Sequence, residues 1–294
     1  MQLPRVLFVT GKGGTGKSTV AAALAVALSH RRSCILADLS THVGAAALLG
    51  AALGADQRAR LTESLEVVAL SQRAELSSFI KRIVPLAAIS ERMLRSRTFG
   101  YVTAALPGLE AFLLLERLRM MAGEAALHDR FVVIDAPATG TALELLAVPN
   151  GVKGVAPVGT LRRLADDVQE FLTDPHRFAV LITVTPEDLS VRETLATAQT
   201  LKSARRIEVA GAILNRSTNA LFEEAELEQL GALSAHRNLA QRRIAERAAA
   251  IAARRELERA GVVTFELPML YRAAIGMREI SALARALAAG LVAQ

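Results

Sequence analysis

Short apolar runs alternate along the chain with longer segments in which apolar residues recur at helical spacing. Most of the short runs are apolar at consecutive positions, which is typical of strands covered on both faces. The runs that predict strands are VLFVT (6–10), SCILADL (33–39), LEVVALS (65–71), FVVIDAP (131–137), FAVLITVT (178–185), VAGAILNR (209–216) and VVTFELP (262–268). Because helical segments separate them, the pattern predicts an α/β fold with a mostly parallel sheet and helices on both faces.

One long segment, residues 72–125, has helical spacing and no strand signal. It contains Met93, Met120 and Met121 among Leu, Ile and Phe. This composition favours ordinary core packing, with an adaptable apolar binding surface as the alternative. The chain shows no internal repeat and no low-complexity linker. We therefore expect a single domain over residues 1–294, with 72–125 as a small helical subdomain.

The composition restricts both the core and the chemistry. Hydrophobic residues make up 52% of the chain and aromatic residues only 4%, so Ala, Leu, Val and Ile are expected to form most of the core. The single cysteine, Cys34, cannot form an internal disulfide, a zinc knuckle or a cysteine-ligated iron–sulfur site within one subunit. It is predicted to be a small buried residue on a strand.

The net charge of +6 permits contact with nucleic acid or an anionic membrane but does not require it. Arginines cluster in residues 235–260, where interspersed glutamates favour a solvated helix face over a partner surface. The first strand run follows the start of the chain almost directly, and the longest apolar stretches, 20–28 and 44–55, are shorter than a membrane span. We therefore expect a soluble, cytoplasmic protein.

A glycine-rich stretch, VTGKGGTGKSTV (9–20), joins the first strand run to a helical segment. It fits the pattern G-x-x-x-x-G-K-[ST], whose glycines turn backbone N–H groups towards phosphate at the start of a helix. Lys17 is then expected to bridge the β- and γ-phosphates, and the Ser18 hydroxyl to bind Mg²⁺. The motif predicts a P-loop NTPase sheet. It also predicts that ATP or ADP binds with Mg²⁺ through Gly13, Gly14, Thr15, Gly16, Lys17, Ser18 and Thr19.

Two aspartates end apolar strand runs, where ligands of open α/β sheets bind. Asp135 closes FVVIDAP at the position of a Walker-B aspartate and is predicted to complete the Mg²⁺ site. Asp38 closes SCILADL, and its candidate role is to orient or activate the attacking water. A helix cap or turn is the alternative for Asp135, and a turn is the alternative for Asp38.

An extra lysine, Lys12, precedes the usual loop lysine, so the stretch reads K-G-G-x-G-K-[ST]. This resembles the deviant-Walker ATPases, and further stretches resemble their ArsA-type branch, the arsenite-pump and tail-anchored-protein-targeting ATPases. In the family's order, these stretches are PGLEA (107–111), FVVIDAPATGTALELLAVP (131–149), FLTDPHRFAVLITVTPEDLSVRET (171–194), GAILNR (211–216) and FELPML (265–270). On these motifs the chain is identified as a member of the ArsA-type family.

The resemblance implies catalytic roles for Lys12, Lys17 and Asp38 and a metal-supporting role for Asp135. Lys12 would reach across a dimer interface to the phosphates of the other subunit's nucleotide, while Lys17 serves its own subunit. Asp38 would polarise the hydrolytic water, and Asp135 would support the Mg²⁺ shell. An ammonium group that arrives only when the dimer closes supplies positive charge where negative charge develops, as an arginine finger does.

The resemblance also implies a base-binding side. Asn215 would contact adenine, and Pro268 and Met269 would line the base. Glu187, in TPEDLS, would contact the nucleotide across the interface.

Several positions depart from the family pattern. The segment after Asp38 reads Leu-Ser-Thr, with His42 one place later than the family's histidine. Thr141 stands where the family has histidine, and RAAIG (272–276) replaces the family's last motif. These changes call the rate of hydrolysis into question more than nucleotide binding. With one cysteine, the chain also lacks the thiol trio of metalloid capture and the C-x-x-C pairs of a zinc-clamped dimer.

The favoured function is a Mg²⁺-dependent ATPase that cycles between open and closed dimers and handles a protein or hydrophobic client. The dimer is expected to be a homodimer or a heterodimer with a paralogue, and the sequence is compatible with a membrane-protein partner. One alternative is a partitioning or positioning ATPase that binds DNA or membrane through residues 235–260, although nucleic acid is the less favoured partner. Another is a weakly active regulatory subunit paired with an active paralogue.

Overall fold

A single sheet forms the centre of the molecule. The computed structural model describes residues 3–40, 44–83, 108–219, 226–227, 234–272 and 274–292. The strands in this part of the chain are β1 (Val6–Gly11), β2 (Cys34–Asp38), β3 (Arg58–Thr62), β4 (Leu65–Ala69), β5 (Phe131–Asp135), β6 (Phe178–Val184), β7 (Val209–Ser217) and β8 (Thr264–Pro268). They pair in the order β3-β4-β2-β5-β1-β6-β7-β8. Only the β3–β4 pair is antiparallel, which confirms the predicted mostly parallel sheet.

Helices connect the strands across both faces of the sheet. In the described residues they are α1 (Lys17–Ser29), α2 (Ala45–Leu48), α3 (Gln72–Ile83), α4 (Leu109–Leu127), α5 (Thr139–Val155), α6 (Thr160–Thr173), α7 (Asp188–Gln199), α8 (Ser234–Arg259) and α9 (Met277–Val292). A five-residue π-helix, Thr200–Ala204, follows α7 directly.

Two apolar layers lie on opposite sides of the sheet. Alternate residues of β1 contribute to them, since Val6 and Phe8 belong to one layer and Leu7 and Val9 to the other. Helices α4 to α8 cover the first layer, whereas α1 and α9 cover the second. The alanines of α1 are buried there, and α1 packs closely against α9. The predicted helices on both faces are confirmed.

The strand β3 has no counterpart among the apolar runs. Its sequence, RARLT, is polar and half exposed, because it lies at the edge of the sheet. Arg58 Nη1 donates to Glu66 Oε1 of β4 at 2.8 Å, so an ion pair reinforces the antiparallel ladder. An edge strand that buries little apolar surface leaves little hydrophobic signal in the sequence.

The segment 72–125 is described only in part. Helix α3 lies at its start, and α4 packs into the core with Phe112, Leu115, Leu118 and Met121 almost fully buried. Met121 therefore serves ordinary core packing. Met93 and the rest of 84–107 lie outside the described residues, so the separate helical subdomain stays a prediction.

The lone cysteine is a small buried residue on a strand, as predicted. Cys34 is fully buried on β2, and burial raises the pKa of its thiol to about 12. A thiol with this pKa is inert at neutral pH. Among the described helices, none has both the length and the apolar character needed to cross a bilayer.

Candidate nucleotide-binding site

The predicted site residues gather at the carboxyl edge of the sheet, around the loop between β1 and α1. In the strand order β2, β5, β1, β6 and β7, the central strand β1 carries this loop. Asp135 ends the neighbouring strand β5, and Asp38 on β2 and Asn215 on β7, one strand further out on either side, lie at or near the same edge. Parallel strands thus bring together groups that are more than a hundred residues apart in sequence.

The backbone of the loop has the form of a phosphate cradle. Gly14 and Gly16 have φ angles of +84° and +90°, in the left-handed region that favours glycine. Gly16 is the N-cap of α1 and provides no side-chain cap. The first N–H groups of α1 therefore face the loop without a side-chain acceptor, and the helix dipole adds positive potential there.

The carbonyl oxygen of Lys12 joins the two halves of the loop. It accepts hydrogen bonds from the Thr15 N–H at 3.3 Å, the Thr15 hydroxyl at 2.8 Å and Lys17 Nζ at 3.4 Å. Burial lowers the pKa of Lys17, and the charge of Asp135 opposes this effect. Lys17 therefore has its ammonium group folded back over the loop, on the side where phosphate would bind. Thr15 is a buried brace of the loop in this conformation.

Asp135 has an oxygen that fits a cation. Its carboxylate is almost fully buried, Oδ2 accepts the Ala45 N–H at 3.0 Å, and Oδ1 has no hydrogen-bond partner among the described residues. Burial raises the pKa of Asp135 to about 6; the Ser18 hydroxyl lowers it and the charge of Asp38 raises it. A buried, unpaired carboxylate oxygen beside a serine hydroxyl is the donor set that Mg²⁺ prefers in phosphate sites. The residues present therefore fit the predicted metal.

Asp38 is held by the segment that follows it. Its Oδ1 accepts hydrogen bonds from the Ser40 N–H at 2.9 Å and from the Ser40 hydroxyl, and its Oδ2 accepts the Ala46 N–H at 2.8 Å. A side chain at Gly44 would overlap this carboxylate, so the close approach depends on glycine. Thr41 and His42 lie outside the described residues. In this conformation Asp38 caps the start of α2.

The extra lysine points away from the cradle. Lys12 Nζ forms an ion pair with Glu193 Oε1 of α7 at 2.8 Å, and the two side chains are 35% and 44% exposed. The two loop lysines therefore have different surroundings, since Lys17 stays over the loop and Lys12 reaches a neighbouring helix. Glu193 was not among the predicted site residues, although it lies in the quoted stretch TPEDLSVRET.

Asn215 of β7 braces the loop from one side. Its Nδ2 donates to the carbonyl oxygen of Thr15 at 2.8 Å, and the bond is buried. A Cβ atom at Gly16 would collide with the same Nδ2. Asn215 is thus in contact with the P-loop, next to the place where the resemblance puts adenine.

A cavity of about 530 Å³ opens beyond β6, β7 and β8. Glu187 and Met269 line it, as predicted for nucleotide contacts, but Asn215 and Pro268 are not among its lining residues. Met269 is tied to β7 by its N–H, which donates to the Ser217 carbonyl at 2.9 Å. Tyr271 lines the cavity too, and the Arg243 guanidinium stacks on its ring at 4.3 Å. Apolar side chains such as Leu239 share the lining with charged ones such as Arg216 and Glu246, a mixture that is common in small-molecule sites.

A glycine-rich loop between a central parallel strand and a helix, with aspartates at the ends of the adjacent strands, defines a P-loop NTPase. A family model described as "Anion-transporting ATPase" matches residues 4–164. The chain belongs to this family, the ArsA-type ATPases. It is therefore an ATP hydrolase.

Curated relatives agree with this assignment. The chain is 28% identical over 234 residues to "ATPase BagA" of Mycobacterium tuberculosis, a match that covers 76% of this chain and 68% of the relative. It is 27% identical over 254 residues to a "Putative arsenical pump-driving ATPase" of Halobacterium salinarum, covering 76% of this chain and 38% of the relative. A protein of the same name from Chlorobaculum tepidum is also 27% identical, over 65% of this chain and 56% of the relative.

Proposed function

We propose that this chain is a Mg²⁺-dependent ATPase that works as a nucleotide-controlled dimer and handles a protein or hydrophobic client. The observation that carries the proposal is the different placement of the two loop lysines. Lys17 lies over its own cradle, with its Nζ on the Lys12 carbonyl, whereas the Lys12 ammonium is directed outwards to α7 and is partly exposed. A loop lysine that leaves its own cradle is available to the nucleotide of a second subunit.

Each remaining group has a task that its position supports. Lys17 and the first N–H groups of α1 would bind the phosphates. Asp135 Oδ1 and the Ser18 hydroxyl would hold Mg²⁺, which supplies charge neutralisation at the phosphates when bound. Asp38 would orient the attacking water by accepting a hydrogen bond from it.

Hydrolysis on this scheme depends on an open acceptor position of Asp38. Its Oδ1 accepts two hydrogen bonds from Ser40, whereas its Oδ2 accepts one from Ala46. Since each carboxylate oxygen has two lone pairs, Oδ2 keeps one for the attacking water. Because Asp38 is almost fully buried, we infer that α2 shifts when the dimer closes and exposes this oxygen, so that the described conformation is a resting one.

The cysteine content restricts the kinds of client that the protein could handle. One buried thiol cannot capture a metalloid with a trio of sulfurs or clamp a dimer with zinc. A protein or another hydrophobic client in the cytoplasm remains the best match, with the second subunit being either a copy of this chain or a paralogue. A membrane-protein partner is compatible with this scheme.

The charges on α8 support client handling over nucleic-acid binding. Several of its arginines are engaged in ion pairs, namely Arg242 and Arg243 with Glu246, Arg247 with Glu266, and Arg254 with both Glu258 and Glu266. Arginines neutralised by glutamates attract phosphate backbones less strongly. DNA binding that falls steeply with salt would favour the partitioning alternative instead.

The hydrogen bonds that hold Asp38 support a second candidate function, a weakly active regulatory subunit that pairs with an active paralogue. A regulatory subunit would keep Asp38 bound to Ser40 and Ala46 and would bind nucleotide without turning it over. Turnover that is near zero for the chain alone and returns on addition of a paralogue would favour this alternative.

Sedimentation velocity with Mg²⁺ and ATP tests the proposed function. We expect monomers without nucleotide and dimers with ATP, together with Mg²⁺-dependent phosphate release. A mass that is the same with and without ATP would contradict the dimer. Purification of Asp38→Asn in the ATP-bound form, followed by identification of what stays bound, would then reveal the client.

A further inference from the structure

The ion pair between Lys12 and Glu193 has a consequence for regulation, provided that the proposed dimeric function holds. We propose that Glu193 is a positioning residue that keeps Lys12 within its own subunit until the dimer forms. On dimerisation, the Lys12 ammonium exchanges the Glu193 carboxylate for the phosphates of the partner's nucleotide. Glu193 thereby sets the threshold for nucleotide-dependent dimerisation.

Glu193 is the fixed member of the pair. Helix α7 is anchored by the buried residues Val191 and Thr194 and by the Ser190 hydroxyl, which accepts the Thr185 N–H at 3.1 Å. The Thr197 hydroxyl donates to the Glu193 carbonyl at 2.7 Å and so ties the residue's backbone into the helix. A carboxylate on such a helix keeps its place when the loop opposite changes.

Lys12 is the member that can move. It lies between Gly11 and Gly13, in a loop whose shape depends on left-handed glycines. Its carbonyl accepts the bond from Lys17 Nζ, so phosphate that draws Lys17 away also removes a restraint on Lys12. Nucleotide binding in one subunit is thus coupled to the release of Lys12 in the same subunit through the hydrogen bond between Lys17 Nζ and the Lys12 carbonyl.

The ion pair has the right strength for a threshold. Both side chains are more than a third exposed, so water screens the pair and its loss costs little. A triphosphate carries more negative charge than one carboxylate, so the exchange favours the closed dimer. Formation of a symmetric dimer breaks two such pairs, so the free-energy cost to dimerisation is twice that of a single pair.

The test compares the wild type, Glu193→Gln and a charge-matched control, Glu170→Gln, which changes an exposed residue near the end of α6, the helix that leads into the amino end of β6. Sedimentation equilibrium with Mg²⁺ and a non-hydrolysable ATP analogue gives each dimer dissociation constant. We expect Glu193→Gln to dimerise about 3- to 30-fold more tightly than the wild type, and Glu170→Gln to match the wild type. The gain should shrink at about 0.5 M salt, because a partly exposed pair is screened.

A second variant tests whether Glu193 acts by holding Lys12 within its own subunit, which we call the latch, or only by stabilising the fold. In a Lys12→Ala background, the substitution Glu193→Gln should no longer change the dissociation constant, since no ammonium is left to hold. A gain that persists in this background would overturn the inference.

The remaining outcomes distinguish the two proposals. If the wild type dimerises and Glu193→Gln dimerises equally or more weakly, the latch is wrong and the proposed function stands. If Glu193→Gln dimerises under conditions in which the wild type does not, the latch is supported. If neither dimerises at any nucleotide concentration, the dimeric function fails and this inference fails with it.

Discussion

Asp38 and Asp135 lie directly opposite each other at the ends of the neighbouring strands β2 and β5, and one short segment holds them both. The Ala45 N–H donates to Asp135 Oδ2 and the Ala46 N–H donates to Asp38 Oδ2. The candidate metal ligand and the candidate water-orienting carboxylate are therefore each linked to one of two consecutive backbone N–H groups of α2. A movement of α2 changes both at once.

The first prediction concerns the buried charge of Asp135. Its pKa in the folded protein is about 6, above the ordinary value of 3.8, so folding favours the protonated form. Stability from this group is therefore fully present below about pH 4 and is lost as the pH rises through about 6. In metal-free buffer at pH 7, Asp135→Asn should raise the free energy of unfolding by on the order of 1–3 kcal/mol in urea denaturation.

The same comparison has two controls. The difference between Asp135→Asn and the wild type should fall towards zero near pH 3, below the ordinary pKa of 3.8, where the carboxyl is mostly protonated in both states. Added Mg²⁺ and ADP should stabilise the wild type more than the variant, because the variant lacks the anionic oxygen. A variant that is less stable than the wild type at pH 7 without metal would contradict the burial cost.

The second prediction concerns Asp38. Asp38→Asn should reduce ATP hydrolysis by about 10²- to 10⁴-fold, because the neutral amide keeps one accepting oxygen but lacks the charge and basicity with which the carboxylate polarises the attacking water. ATP affinity should change by no more than a few-fold, since the phosphates are bound by the loop. Steady-state turnover and equilibrium binding measure the two effects, with the exposed Asp56→Asn as control. Full activity in Asp38→Asn would remove this residue from the mechanism.

The third prediction compares two glycines of the loop. Gly16→Ala places a Cβ in a left-handed conformation and against Asn215 Nδ2, so it should cost about 2 kcal/mol or more of stability. Gly13→Ala meets no atom within 4 Å and should change stability by less than about 0.5 kcal/mol. Thermal and chemical denaturation of both variants give the comparison. Equal losses at the two positions would show that the loop has another conformation in solution.

The fourth prediction concerns the brace between Asn215 and the loop. Asn215→Ala leaves the buried Thr15 carbonyl without its donor and should weaken ATP binding by about 5- to 100-fold. The exposed Asn219→Ala, four residues further on, should bind ATP like the wild type. Calorimetric titration of ATP into both variants provides the measurement. Unchanged affinity in Asn215→Ala would mean that this bond has no part in the site.

The main strands could be predicted because burial on both faces leaves continuous apolar runs. The positions in the fold of the loop residues from Gly13 to Ser18 and of Asp38 and Asp135 could be predicted as well, because a motif and the strand ends mark them, while their roles stay predictions. The strand β3 could not, since an edge strand with Arg58 and Arg60 buries too little apolar surface to leave a pattern.

Contacts between residues that only the assembled fold brings together could not be predicted from the sequence either. Glu193 is 181 residues from Lys12, so nothing local links the two charges. Helix α2 binds the two aspartates through the backbone N–H groups of Ala45 and Ala46. Every residue except proline has such a group, so the sequence does not indicate these hydrogen bonds.

The most direct test of the trans-acting lysine mixes two inactive subunits. Lys12→Ala keeps its own Asp38 but has no lysine to donate, whereas Asp38→Asn can donate Lys12 but cannot use its own site. If Lys12 acts across the interface, each variant alone should be nearly inactive, and an equimolar mixture should recover up to about a quarter of wild-type ATPase activity, because half of the random dimers contain one complete site. A mixture no more active than the two variants measured separately would contradict the account.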